Sequence, residues 1–183
     1  MSILCIDNKL RKLQKEGLLD VESVLYKRSE LITKHLNLNQ SPEIFMNYFS
    51  NNFGKTAIEI NGARNLIKYL SQKYLLCATS NGIFSIQKNR LKIAKLDEFF
   101  FRFYISDKIG YEKPNQRFFT YILNDLNLNK QDIIMLGDSL QSDIKGAFNF
   151  GIDSIYFNKN NLKTNKKFFT FEVNKLNDIF NIL

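Results

Sequence analysis

A chain of 183 residues that is 44% hydrophobic can bury one sizeable core and a small attached subdomain, which excludes two full domains. Its net charge of +8 comes from lysines scattered among many asparagines, the pattern of a solvated surface and not of a nucleic-acid stripe. Cys5 and Cys77 are too few and too far apart for a disulfide framework or a paired-cysteine zinc site. No run of about 18 apolar residues suits a membrane span, and no basic stretch precedes the short apolar run in Met1 to Leu10, so a cytoplasmic protein without a leader is expected.

In chain order, the first third reads as helical. Leu10, Leu13, Leu18, Leu19, Val24, Leu25, Leu31, Ile32, Leu36, Ile44, Phe45 and Phe49 recur at roughly helical spacing between Lys9 and Phe53. Asp20, followed by Glu22, and Ser41, followed by Pro42, are start signals for two of these helices. The lone histidine, His35, lies among them with no second ligand type clustered nearby and is expected to be a surface or partly packed residue.

Beyond Glu59 the rhythm alternates. Helices are expected at Ala63–Leu70, Ile83–Ala94, Gln116–Leu126 behind the cap Asn115, and Ser142–Phe150 closed by Gly151. Strands are expected at Tyr74–Thr79, Phe103–Ser106, Ile133–Leu136 and Ser154–Phe157, each a short apolar run. Asn158 to Lys167, rich in Asn and Lys, reads as a polar surface loop. The alternation describes an α/β fold with a parallel sheet and helices on its faces.

Ligands of such sheets bind beyond the carboxyl ends of the strands. Ser80, Asn81 and Gly82 follow the first strand, where a hydroxyl and backbone N–H groups at a helix start form an anion cradle. Lys113, in the loop Ile109 to Pro114 after the second strand, is a point charge suited to phosphate oxygens. Asp138 and Asp143, after the third, are hard oxygen donors of the kind magnesium prefers. Each has a plainer use: Ser-Asn-Gly makes turns, Lys-Pro makes surface loops, and Asp138 or Ser142 could cap the next helix. Their order, each at a strand end, points instead to a phosphoryl site.

Three runs carry a family resemblance. Leu75-Leu76-Cys77-Ala78-Thr79-Ser80-Asn81-Gly82 resembles motif II of the haloacid dehalogenase (HAD) superfamily, Gly110-Tyr111-Glu112-Lys113-Pro114 resembles motif III, and the run from Ile133 through Gly137 and Asp138 to Asp143 resembles motif IV. Asp7 to Arg28 is similar to the helical cap of the branch that includes the pyrimidine 5'-nucleotidases. The resemblance implies a helical cap subdomain over 1–58 and a Rossmann-like core over 59–183. It implies Ser80, Asn81 and Lys113 as phosphate-binding residues, Lys113 and Asp138 as catalytic ones, and Asp138 with Asp143 as ligands of Mg2+.

Motif I is the departure. Family members open with an apolar strand ending in Asp-x-Asp, whose first acid attacks phosphorus and whose second acts as acid and base. Ile3-Leu4-Cys5-Ile6-Asp7 has the strand but Lys9 in place of the second acid; Asp20-Val21-Glu22 has the spacing in a helical region. Neither is taken as the nucleophile, so the first, central strand of the sheet is expected to be missing, leaving a gap or forcing its neighbours together, unless Met1 to Ile6 repairs it.

Two functions follow from the resemblance. One is a magnesium-dependent phosphatase of small phosphorylated metabolites or nucleotides, inactive as this chain for want of the nucleophile. The other is a pseudoenzyme or truncated fragment that retains a phosphate site. Carbon-halogen chemistry on the same core does not need the acid pair, and ranks behind both.

Overall fold

The structure, a computed structural model, describes residues 10, 13–14, 18–164 and 168–183. Cys5, Asp7, Lys9 and the proposed repair by Met1 to Ile6 lie outside the described residues.

The first elements whose bounds are described are two helices, α1 (Val21–His35) and α2 (Pro42–Phe53). Asp20 caps α1, its Oδ1 accepting from the Ser23 N–H at 2.6 Å, and this bond holds its carboxyl below the usual range. Asp20 is thus a helix cap. Replacing it by alanine is expected to cost about 1 kcal/mol, read as a lowered urea midpoint. Ser41 caps α2 with Pro42 in the first turn, as their spacing predicts. Val24, Ser29 and Thr33 of α1 are buried, whereas α2 buries none of its residues.

From α3 (Ala63–Ser71) onward the elements alternate: β1 (Cys77–Ser80), α4 (Phe84–Ile93), β2 (Arg102–Ile105), the single turn α5 (Ser106–Ile109), α6 (Gln116–Leu126), β3 (Ile134–Gly137), α7 (Lys145–Phe150), β4 (Asp153–Phe157) and β5 (Phe171–Val173). The Asn89 amide donates to the Gly54 carbonyl at 2.7 Å and Arg90 Nε to the Thr56 carbonyl at 3.1 Å, so α4 holds the segment leaving α2. No described helix is long and apolar enough to cross a membrane.

The strands form two parallel sheets. β1 pairs with β2, and β3 with β4, which pairs with β5. Among the described residues, β1 and β3 are not hydrogen-bonded to each other, so the sheet is divided where the central strand was expected to be missing.

Side chains alternate across strands, and that sorts the core into two layers. Tyr104 and Met135 point to the layer holding Phe118, Phe119, Ile122 and Leu123 of α6 and Ala147 and Phe150 of α7. Ile155, Phe157 and Val173 point to the other, with Leu66 and Leu70 of α3 and Ile179. Asn115 caps α6 through the Arg117 N–H at 3.0 Å, and Asn127 ends it in the left-handed conformation.

Three expectations are corrected. The first strand starts at Cys77, not Tyr74, because the Tyr74 N–H still bonds to the Leu70 carbonyl at 2.8 Å as part of the α3 exit turn. The helix expected from Ser142 divides into a π-helical turn, Leu140–Ile144, and α7. Asn158 is buried, not part of a polar surface loop: its amide donates to the Leu162 carbonyl at 2.9 Å and to Glu172 Oε1 at 2.6 Å. That bond ties down β5, a strand of three residues with no expected counterpart.

Candidate functional site

Three of the residues expected at strand ends, Asn81, Lys113 and Asp143, converge on one place. Past β2, α5 ends at Gly110 with φ +80°, a left-handed turn that returns the chain toward β1. There Asn81 clasps the backbone of Lys113 from both sides: its Oδ1 accepts the Lys113 N–H at 2.9 Å and its Nδ2 donates to the Lys113 carbonyl at 2.7 Å. The Lys113–Pro114 peptide bond is cis.

So held, Lys113 is 5% exposed and its ammonium reaches both half-sheets. Nζ lies 2.8 Å from Asp143 Oδ1, beyond β3, and donates to Thr79 Oγ1 at 3.0 Å and the Thr79 carbonyl at 3.3 Å, on β1. These three acceptors match the three donors of a lysine ammonium. The Phe118 ring lies 5.8 Å away.

Asp143 is 7% exposed and is placed by the π-helical turn. Its Oδ2 accepts the Ser139 N–H at 3.0 Å, and its Oδ1 is 3.4 Å from the Ser142 hydroxyl. Gly137 makes room for it, since a Cβ there would stand 2.5 Å from that of Asp143. Asp138 is exposed and has no hydrogen bond or ion pair among the described residues. Burial, then the charge of Glu172 and last that of Asp138 raise the Tyr156 phenol. Ser80, half-buried, ends β1.

The cradle expected at Ser80-Asn81-Gly82 is partly occupied by the protein itself. The Gly82 N–H donates to Ser106 Oγ at 3.0 Å, and the Phe84 N–H, at the start of α4, donates to Asp107 Oδ2 at 2.9 Å. The structure therefore brings together Asn81, Lys113 and Asp143, with Ser80 at the end of β1 and Asp138 just after β3, and Asn81 places Lys113 with its side chain. Thr79, Ser106, Asp107 and Ser139 were missed. Ser106 and Asp107 fell within or beside an expected strand end, and nothing in their spacing marks them.

Among the described residues no three or more His, Cys, Asp or Glu side chains cluster as a metal site would. Asp138 and Asp143 are two oxygen donors, one already bonded to Lys113. Magnesium commonly takes one or two carboxylates and completes its octahedron with water and phosphate, and this pair fits that limited share.

The profile of haloacid dehalogenase-like hydrolases matches residues 11–157. The putative HAD-hydrolase YfnB of Bacillus subtilis is 32% identical over 127 residues, which are 68% of this chain and 54% of YfnB, so the chain spans about half the length of that relative. The pyrimidine 5'-nucleotidase PynA of Streptococcus pneumoniae is 28% identical over 97% of this chain and 73% of its own. The crystal structure of magnesium-bound YfnB superposes with a TM-score of 0.88 at 26% identity, covering 99% of this chain and 80% of that one.

Proposed function

The chain belongs to the haloacid dehalogenase-like hydrolase family, and from that premise we propose that it is the phosphate-binding part of a phosphomonoester hydrolase, unable by itself to complete the reaction. The observation that carries this is the buried Lys113–Asp143 pair at 2.8 Å, set at strand ends beside Ser80 and the unbonded Asp138. A small phosphorylated metabolite or nucleotide is the substrate class, in keeping with the nucleotidase PynA among the relatives. Residues 1–58 are read as a cap and 59–183 as the core.

In this reading, Ser80 donates its hydroxyl to a phosphate oxygen. Lys113 contributes the donor now on the Thr79 carbonyl, the longest of its three bonds, and keeps Asp143 neutralised. Asp138 would hold Mg2+, supported by Asp143; bound there, the ion would draw charge from the phosphoryl oxygens. Nucleophilic attack needs a further carboxylate, and among the described residues no strand lies between β1 and β3 to carry one.

Hydrolysis of p-nitrophenyl phosphate and a pyrimidine mononucleotide with magnesium, together with calorimetry of phosphate binding, tests this. No turnover is expected from the folded chain, with magnesium-dependent phosphate binding that Asp138→Asn weakens by about tenfold or more, as loss of a metal ligand should. Turnover that depends on Asp138 would show that the nucleophile is within these residues; phosphate binding indifferent to Asp138 would remove the metal role.

A further inference from the structure

At the amino ends of β3 and β4, away from Lys113 and Asp138, lies an open cavity of about 680 Å³. We infer that it is a second ligand site, for a purine nucleoside monophosphate whose base stacks on Phe148 and whose phosphate meets Lys130. It shares no residue with the phosphate site. Ile134 and Asp153 pair at this end, three residues or about 10 Å before Gly137 and Tyr156 pair at the other.

One wall is aromatic and faces water. Phe148, on α7, is 53% exposed, and its ring meets that of Phe168 edge to face at 5.2 Å. The Lys145 ammonium, 5.4 Å from the Phe168 ring centroid, adds positive charge beside the pair. An exposed ring at a cavity wall is a stacking surface for a nucleobase.

The polar groups at the cavity are held in place and have bonding capacity left over. Lys130 Nζ donates to the Phe150 carbonyl, at the end of α7, at 2.6 Å and lies 4.4 Å from the Phe150 ring centroid. That bond fixes the ammonium and, among the described residues, uses one of its three donors. Opposite in charge, Asp153 is fixed through Oδ1, which accepts the Thr170 hydroxyl at 2.7 Å; the Ser154 N–H in turn donates to Thr170 Oγ1 at 3.1 Å. Asp153 Oδ2 has no partner among the described residues. Ser154 is 1% exposed and lines the cavity, and its own hydroxyl makes no hydrogen bond among the described residues. Buried hydroxyls are almost always bonded, so this one points to a partner that enters the cavity.

These features select the ligand. A fixed cation and a fixed carboxylate at one cavity suit a molecule that carries an anion and hydrogen-bond donors together, and the exposed ring asks for a flat aromatic part. An aromatic amino acid has both but is small for a cavity in the middle of the roughly 300–1,000 Å³ range of drug-sized ligands. A purine nucleotide fills it with a phosphate for Lys130, ribose hydroxyls for Asp153 and a two-ring base for Phe148.

This site is additional to the phosphomonoester reading and does not rest on it. Calorimetric titration of the full chain with AMP and with adenosine, both without magnesium, tests it. Saturable binding of both is expected, weakened about tenfold or more by Phe148→Ala, which removes the stacking ring from an exposed position. Lys130→Met should weaken AMP about tenfold and leave adenosine unchanged, because only AMP carries the charge that the ammonium meets. Absence of saturable AMP binding would overturn the inference, as would AMP binding that ignores Phe148→Ala. So would equal losses of AMP and adenosine in Lys130→Met, since that lysine would then act only through its bond to the Phe150 carbonyl. The phosphate binding proposed above depends on magnesium and is measured separately, so either site can fail alone.

Discussion

Replacing Lys113 by alanine is expected to destabilise the chain by about 3–5 kcal/mol, because it removes one partner of a buried ion pair and leaves the other. Asp143, 7% exposed, would be left with the Ser139 N–H and the Ser142 hydroxyl as its partners among the described residues. Thr79 would lose the donor on its hydroxyl and on its carbonyl together. The loss is a large part of the roughly 5–15 kcal/mol that holds a domain folded. Arginine should not rescue it, since a planar guanidinium does not reproduce the bonds of one ammonium to Asp143 Oδ1, the Thr79 hydroxyl and the Thr79 carbonyl. Substituting both partners, Lys113→Met with Asp143→Leu, should cost less than the sum of the single changes, because no charge is then stranded. Urea unfolding of the four proteins measures this directly. A loss below about 1 kcal/mol for Lys113→Ala would place the pair among solvent-screened surface contacts and end its role as the bolt between the half-sheets.

That bolt shows why the site was only partly legible in the sequence. Ser80, Lys113, Asp138 and Asp143 could be picked out because parallel sheets put chemistry at strand ends, and a short apolar run followed by Gly-Asp is a local signal. The partners of those residues are not local. Thr79 precedes Lys113 by 34 positions, and only the left-handed turn at Gly110 brings the loop back over β1. Asn81 looked like part of an anion cradle by its neighbours, yet both ends of its amide are on the backbone of Lys113. Elements with strong periodicity, such as α6 with its buried Phe118, Phe119, Ile122 and Leu123, were placed to the residue. β5 was missed because three residues with an outward Glu172 carry almost no pattern, and its position depends on the buried Asn158 amide. A gap between β1 and β3 was one of the outcomes expected from the missing motif; the other named outcome, repair by Met1 to Ile6, lies outside the described residues.

Gly137→Ala should damage the site from within its most regular element. The added methyl carbon would stand 2.5 Å from Asp143 Cβ, 2.6 Å from its Oδ2 and 2.7 Å from its carboxyl carbon. Asp143 cannot step aside cheaply, since one oxygen is on Lys113 and the other on the Ser139 N–H. Overpacking of this kind costs about 1–3 kcal/mol. Its functional effect should exceed its effect on stability, because Asp138 is the next residue and the turn that aims it must shift. Gly110→Ala supplies the contrast: nothing lies within 4 Å of a Cβ there, and its cost, about 1 kcal/mol, comes only from a backbone at φ +80°. Both variants are measured for urea midpoint and for magnesium-dependent phosphate binding. If Gly137→Ala binds phosphate as the parent does, the close approach of Asp143 to β3 is a packing feature and does not set the geometry of the site; if it loses binding while Gly110→Ala keeps it, the glycine is what allows the carboxylates and Lys113 to share one place.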